Sequence, residues 1–143
     1  MKPAYQYLVQ QFKNEHISLA EMASIATEYQ GLYSHVPSVE VATDLLSKII
    51  KLPQVSENLL VCFALENNEL NAPLNTMYQH EDLTNSMLLQ IADCYGVIGI
   101  SNFWEIKLNH PEMIVNLSNN DKVADIALSL IAALSGQLAQ MDS

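Results

Sequence analysis

Apolar residues recur at intervals of three and four along nearly the whole chain, and this helical period constrains the fold more than any other feature. Leu8 and Phe12 are four residues apart, and Val55, Leu59 and Phe63 repeat that spacing further along. No run of alternating β-branched residues competes with the helical pattern. The sequence therefore predicts an all-α protein, a multihelical bundle of about six to seven helices.

Capping residues divide the first half of this pattern into separate helices. Ser18 and Glu21 form a capping-box pattern, in which a hydroxyl and a carboxylate each bond an amide at the start of a helix. Gly31 is placed to end that second helix. Ser38 is placed to begin a third helix, and Pro53 suits the first turn of a fourth because its missing N–H is not needed there.

The second half of the chain gives three further predictions. A fifth helix is expected over residues 80–93, with Gly96 at its C-terminal cap. A short helix is expected over residues 103–108. Polar residues 119–121 then offer caps for a long final helix that ends near Gln140. Because no repeat or linker interrupts the pattern, we expect one domain over residues 1–143.

Charge excludes several classes of partner. Sixteen carboxylates face six lysines and no arginine, giving a formal net charge of −10. Nucleic-acid binding is disfavoured because it depends on neutralising phosphates, and anionic membrane surfaces would repel the chain. The longest nearly apolar run, Val123–Leu134, has 12 residues, whereas a bilayer requires about 20. We therefore expect no transmembrane segment.

The cysteines and the start of the chain predict the compartment. Cys62 and Cys94 lie in apolar helical segments without C-x-x-C spacing, as expected for two buried free thiols in a reducing compartment. The chain begins MKPAYQYLVQQF, which is no charged-then-apolar leader. A cytoplasmic location is expected.

The apolar content predicts self-association. Half of the residues are hydrophobic and 15% are charged, which favours buried subunit interfaces and a homo-oligomer. Trp104 follows a helical stripe and is expected in the core.

Two of the four glycines, Gly96 and Gly99, lie between helical patterns. This pair is no nucleotide fingerprint, because that motif needs a preceding strand and a third glycine. The pair marks either a closely packed helix break or a site where unpaired amides face an anion. The closely packed break is the favoured interpretation, and the polar neighbours Tyr95, Ser101 and Asn102 are what supports the anion site.

Asp125 stands inside the apolar final helix, where a carboxylate requires a partner or a metal ion unless it lies in the first turn and interacts with the helix dipole. The four histidines have no helical i, i+4 pair and no nearby cysteine, which argues against zinc.

The stretch CYGVIGISNF, residues 94–103, resembles the soluble branch of the phosphatidylglycerophosphatase A family, which includes low temperature requirement protein C. Its Tyr-Gly-x-Ile-Gly-x-Ser/Thr-Asn pattern is the specific part. Residues 16–33, 38–70 and 124–139 resemble further helices of that family, so the likeness spans about residues 5–140.

This resemblance implies Mg²⁺-assisted hydrolysis of the phosphate monoester of phosphatidylglycerophosphate, in phospholipid metabolism. The family has an Asp-Glu pair one helix before the glycine segment, and these positions fall on Thr84 and Asn85. An Asp-Asp pair opens the last helix, and here it reads Ala124-Asp125. An acidic position after the glycine segment falls on Lys107. Three of four paired carboxylates are thus replaced.

The family pattern carries over to eight candidate site residues. Those implied at the catalytic centre are Asp125, Asn85, Thr84 and Asn102, with Asp125 as the metal ligand. Those implied in substrate binding are Tyr95, Gly96, Gly99 and Ser101.

Three functional hypotheses follow. The first is a phosphatidylglycerophosphatase A-like protein with lost or reduced activity. The second is an active phosphatase with a rearranged site, in which Asp125 binds Mg²⁺ together with Asp93, Glu81 or Asp82. The third is a non-catalytic oligomeric binding or regulatory protein. A phospholipid phosphate and Mg²⁺ are expected only if the protein is active; otherwise no cofactor is expected.

Overall fold

The apolar stripes form seven α-helices in the part of the chain that the structure describes. The computed structural model describes residues 2–67 and 81–142, with the backbone alone at residues 2, 3 and 81–84. The helices are α1 Lys2–Asn14, α2 Leu19–Gln30, α3 Val39–Lys51, α4 Pro53–Glu66, α5 Glu81–Ala92, α6 Val97–Asn109 and α7 Asp121–Met141. Single 3-10 turns cover Asp93–Tyr95 and Pro111–Met113. No strand occurs in these ranges, and the predicted all-α bundle is confirmed.

Local capping chemistry accounts for most helix boundaries. The Ser18 hydroxyl accepts a hydrogen bond from the Glu21 amide at 3.0 Å, and the Glu21 carboxylate accepts one from the Ser18 amide at 3.3 Å. Gly31 is the C-terminal cap of α2, Ser38 caps α3, and Pro53 is the first residue of α4. These predicted boundaries are confirmed. His80, the predicted start of the fifth helix, lies outside the described residues.

α7 is the central helix of the bundle. Thirteen of its 21 residues are buried, and α2, α5 and α6 pack against it. Within the described ranges it is the one helix long and apolar enough to cross a membrane by length and composition, but 72% of its most apolar stretch is buried in this fold. That burial is typical of a core helix.

The predicted short helix over residues 103–108 is wrong, because α6 begins six residues earlier at Val97. Gly96 ends the preceding 3-10 turn and then starts α6, with a φ of 102°. The helix continues through Gly99, where glycine's poor helix propensity is outweighed by close packing.

Two further expectations are corrected. Trp104 is 37% exposed, since it lies on the face of α6 opposite Ile106, which is buried in the core. Cys94 is only half-buried and lies in the 3-10 turn, because α5 ends at Ala92. Cys62 is a buried free thiol as predicted.

Candidate functional site

The two glycines of the Gly-x-x-Gly segment are required by backbone geometry. At Gly96 the positive φ is one that side-chain-bearing residues rarely adopt. At Gly99 a Cβ atom would meet the carbonyl oxygen of Ala92 at 1.8 Å. The amides of Gly96 and Gly99 donate to the carbonyls of Asp93 and Gly96 at 2.8 and 3.0 Å. Close packing of a sharp turn therefore accounts for both glycines without an anion.

The C-terminal half of α7 holds this turn in place. Gly136 lies against the Gly99 backbone, and a Cβ added to Gly136 would be 3.4 Å from the Gly99 nitrogen. The Gln140 side-chain amide donates a hydrogen bond to the Tyr95 carbonyl. Burial, followed by the neighbouring Cys94, raises the pKa of the half-buried Tyr95 phenol above its ordinary value.

Asn102 is engaged inside the core. Its amide nitrogen donates to the Ser135 hydroxyl at 2.9 Å, and its oxygen accepts from the Tyr29 hydroxyl at 3.2 Å. Asn102 is 7% exposed, and burial raises the pKa of Tyr29 to about 12. Asn102, which the sequence resemblance implies at a catalytic centre, thus links α2, α6 and α7 through its hydrogen bonds. Ser101, one position away, is exposed on the outward side of α6.

Asp125 has a partner that sequence spacing did not reveal. Lys107, 18 positions earlier on α6, approaches the Asp125 carboxylate with 2.9 Å between Nζ and Oδ2. The two side chains are 35% and 27% exposed, so the pair is partly shielded from water. The ammonium also lies 5.8 Å from the Phe103 ring centroid and 5.9 Å from that of Trp104. A lysine ammonium therefore neutralises the Asp125 carboxylate, which the sequence resemblance implies as a metal ligand.

The eight candidate residues do not form one cluster. Tyr95, Gly96 and Gly99 lie at the turn, beside the C-terminal end of α7. Lys107 is eight residues beyond Gly99, about 12 Å along α6, where it meets the N-terminal part of α7 at Asp125.

Thr84 and Asn85 lie near the start of α5, away from the turn. Asn85 is half-buried, and the Thr84 side chain lies outside the described residues. The candidate residues thus divide between the turn with the first part of α6, the start of α5 and the N-terminal part of α7.

The described side chains do not fit a divalent cation well. No group of three or more His, Cys, Asp or Glu residues in the described ranges could hold a metal ion. Asp93 cannot share an ion with Asp125, because it lies beside the Gln140 end of α7, about 22 Å along the helix from Asp125. The Glu81 and Asp82 side chains lie outside the described residues.

Comparison with known proteins supports the fold alone. No family model matches the chain, and no curated protein matches it. A solved structure described as a protein of unknown function from Bacillus stearothermophilus is similar, with a TM-score of 0.69 and 20% sequence identity. The match covers 97% of this chain and 95% of that one. The helical arrangement is therefore one that a natural protein of nearly the same length also adopts.

Proposed function

We propose that this chain is a phosphatidylglycerophosphatase A-like protein whose Mg²⁺-dependent phosphatase activity is lost or greatly reduced. The observation that carries the proposal is the Lys107–Asp125 ion pair, with its separation of 2.9 Å. The family resemblance implies an acidic side chain at position 107 and a cation-binding role for position 125. An ammonium fixed to the chain here neutralises the carboxylate that a divalent cation would bind.

Electrostatics explains why this exchange disfavours a metal ion. Mg²⁺ requires oxygen ligands at about 2.0–2.1 Å, and it binds usefully only where carboxylates or phosphates offset its charge. Lys107 would have to leave Asp125, and its positive charge would then repel the incoming ion at short range. The other three paired carboxylates of the family are replaced by the neutral Thr84, Asn85 and Ala124.

The energetic demand of the reaction makes the loss decisive. Phosphate monoesters are among the slowest substrates to hydrolyse without a catalyst, and enzymes that cleave them lower the barrier by on the order of 20 kcal/mol or more. In a metal-assisted site the cation neutralises charge on the phosphoryl oxygens. One lysine-paired aspartate does not hold such a cation.

The test compares the natural chain with two revertants. The triple revertant Thr84→Asp, Asn85→Glu, Ala124→Asp keeps the lysine, and the quadruple revertant adds Lys107→Glu. Lys48→Glu is the matched charge control, because Lys48 is 69% exposed and paired with Asp44 on α3. Phosphate release from phosphatidylglycerophosphate with Mg²⁺ and calorimetric titration with Mn²⁺ are the two readouts.

We expect no phosphate release by the natural chain above a heat-denatured sample, and no Mn²⁺ binding in the calorimeter. The quadruple revertant should bind Mn²⁺ at least about tenfold more tightly than the triple revertant, since it gains a carboxylate and loses an ammonium. Robust Mg²⁺-dependent turnover by the natural chain, abolished by Asp125→Asn, would reject the proposal.

A second candidate function is a non-catalytic oligomeric binding or regulatory protein. It is favoured by an apolar strip on the outward face of α6, where Val97 is 75% exposed and Leu108 is 69% exposed. This second function is compatible with lost phosphatase activity. It is tested by measuring the oligomeric state of the natural chain.

A further inference from the structure

We infer that the outward face of α6 is the interface of a homodimer, in which α6 packs antiparallel against α6 of a second copy. This inference does not depend on the proposed loss of phosphatase activity. The surface is the α6 seam, defined as Val97, Ser101, Trp104 and Leu108. These residues are spaced by four, three and four, which places all of them on one side of the helix.

The α6 seam is exposed in the single chain. Val97 is 75% exposed, Leu108 is 69% exposed and Trp104 is 37% exposed. The opposite face of the same helix carries Phe103 and Ile106, which are almost completely buried. α6 is therefore apolar on two sides, and only one of them is covered by residues 2–67 and 81–142 of its own chain.

Charge determines where a second copy of this acidic chain can approach. The chain has a formal net charge of −10, so two copies repel each other over most approaches. The α6 seam carries no charge, and both charged side chains of α6 are already engaged. Glu105 accepts hydrogen bonds from Tyr33 at 3.1 Å and from Asn109 at 3.0 Å, and Lys107 pairs with Asp125. A second copy therefore meets the least repulsion at the α6 seam.

The α6 seam is complementary to itself when it is reversed. In an antiparallel pair whose twofold axis passes midway between positions 101 and 104, Trp104 of each copy lies opposite Ser101 of the other. Val97 then lies opposite Leu108. The largest side chain faces the smallest one, as packing of ridges into grooves requires. A parallel pair would place Trp104 on Trp104 and leave a gap at Ser101.

The small area of the surface indicates a weak, reversible dimer. α6 is about 20 Å long, so a strip about 10 Å wide offers roughly 200 Å² per copy. Tyr33, which is 60% exposed and bonded to Glu105, extends the surface together with Leu32, which is 58% exposed. Stable dimers bury about 800 Å² per partner, so we expect a reversible dimer with a Kd on the order of 10–100 µM.

The experiment uses the full chain and its one tryptophan. Sedimentation equilibrium is measured from about 1 to about 500 µM, a range that brackets the expected Kd. Trp104 fluorescence is recorded at the same concentrations, because the chain contains no other tryptophan and its ring lies in the α6 seam. Added salt should strengthen association, since it screens the repulsion between two acidic chains.

Three variants test the geometry. Leu108→Glu places a carboxylate on the α6 seam opposite Val97. The double variant Val97→Lys, Leu108→Glu places two Lys–Glu pairs across the antiparallel interface. Val41→Glu is the matched control, because Val41 is an exposed valine on α3 and the charge change is the same. Circular dichroism and thermal unfolding check that each variant remains folded.

The expected result is a mass that doubles with concentration, with a shift of Trp104 emission to shorter wavelength at the same midpoint. Leu108→Glu should raise the Kd by at least about 50-fold, and the double variant should return it to within about tenfold of the natural chain. Val41→Glu should leave it unchanged. A monomer at every concentration, association that persists in Leu108→Glu, or a double variant that stays monomeric would each overturn the inference.

Discussion

Replacing Lys107 by methionine tests whether the pair with Asp125 stabilises this fold more than an ordinary surface ion pair does. The Nζ and Oδ2 atoms are 2.9 Å apart, and the two side chains are 35% and 27% exposed. At an effective dielectric constant of about 20, the gross attraction at that distance is about 6 kcal/mol. Desolvation of both groups and the lost rotamer freedom of lysine offset most of it.

We expect a net coupling of about 1–1.5 kcal/mol, above the 0.2–1 kcal/mol that is typical of fully exposed pairs. The coupling is obtained from a double-mutant cycle of Lys107→Met, Asp125→Asn and the double variant, with urea unfolding as the assay. The cycle cancels the general effect of changing the net charge of the chain. In a chain of 143 residues, 1 kcal/mol corresponds to a shift in Tm of about 3–4 °C.

The pair between Lys48 and Asp44 on α3 is the internal control. Its atoms are 3.3 Å apart, its side chains are 69% and 66% exposed, and its residues are four positions apart in one helix. The same cycle on this pair should give about 0.3–0.5 kcal/mol. If the Lys107–Asp125 coupling is no larger than that of the control, the ammonium is not held firmly against the carboxylate. Lys107 would then not keep a divalent cation away from Asp125.

Three further predictions concern the turn, the buried amide and the thiols. Gly99→Ala should destabilise the fold by about 3 kcal/mol or more in urea unfolding, because its Cβ would be 1.8 Å from a backbone oxygen of α5. Gly136→Ala should change stability by less than about 1 kcal/mol, because its Cβ would be 3.4 Å from the nearest atom. Asn102→Ala should cost about 2–3 kcal/mol in the same assay, since it removes two buried hydrogen bonds: the Tyr29 hydroxyl loses its Asn102 acceptor, and the Ser135 hydroxyl loses a donor while keeping its bond to the Ala132 carbonyl. Burial raises the pKa of Cys62 to about 12 and that of Cys94 to about 11. The rate of iodoacetamide labelling should therefore keep rising up to pH 10, with the half-buried Cys94 reacting first. A plateau of the labelling rate near the ordinary thiol pKa would contradict this prediction.

Helix identity and most helix ends could be predicted from the sequence because they depend on neighbours in the chain. The capping box at Ser18 and Glu21 acts across three residues, and Pro53 acts through its own missing N–H. The start of α6 could not be predicted in the same way. Gly96 and Gly99 suggest a break when only propensity is considered, yet the close approach of α5 and α7 makes glycine the residue that fits inside the helix.

In the candidate site, the features that depend on chain neighbours are separated even more clearly from those that depend on helix packing. The sequence by itself determined that Asp125 stands in an apolar helix, where a carboxylate requires a partner or a metal ion unless it interacts with the helix dipole. The sequence also indicated that the two glycines and their polar neighbours form a distinct segment between helical patterns. Only the tertiary structure decided what those residues meet. α6 and α7 cross so that Lys107 reaches Asp125 and Asn102 joins Tyr29 to Ser135. Contacts between residues so far apart in the chain depend on how the helices pack, and local periodicity does not determine that packing.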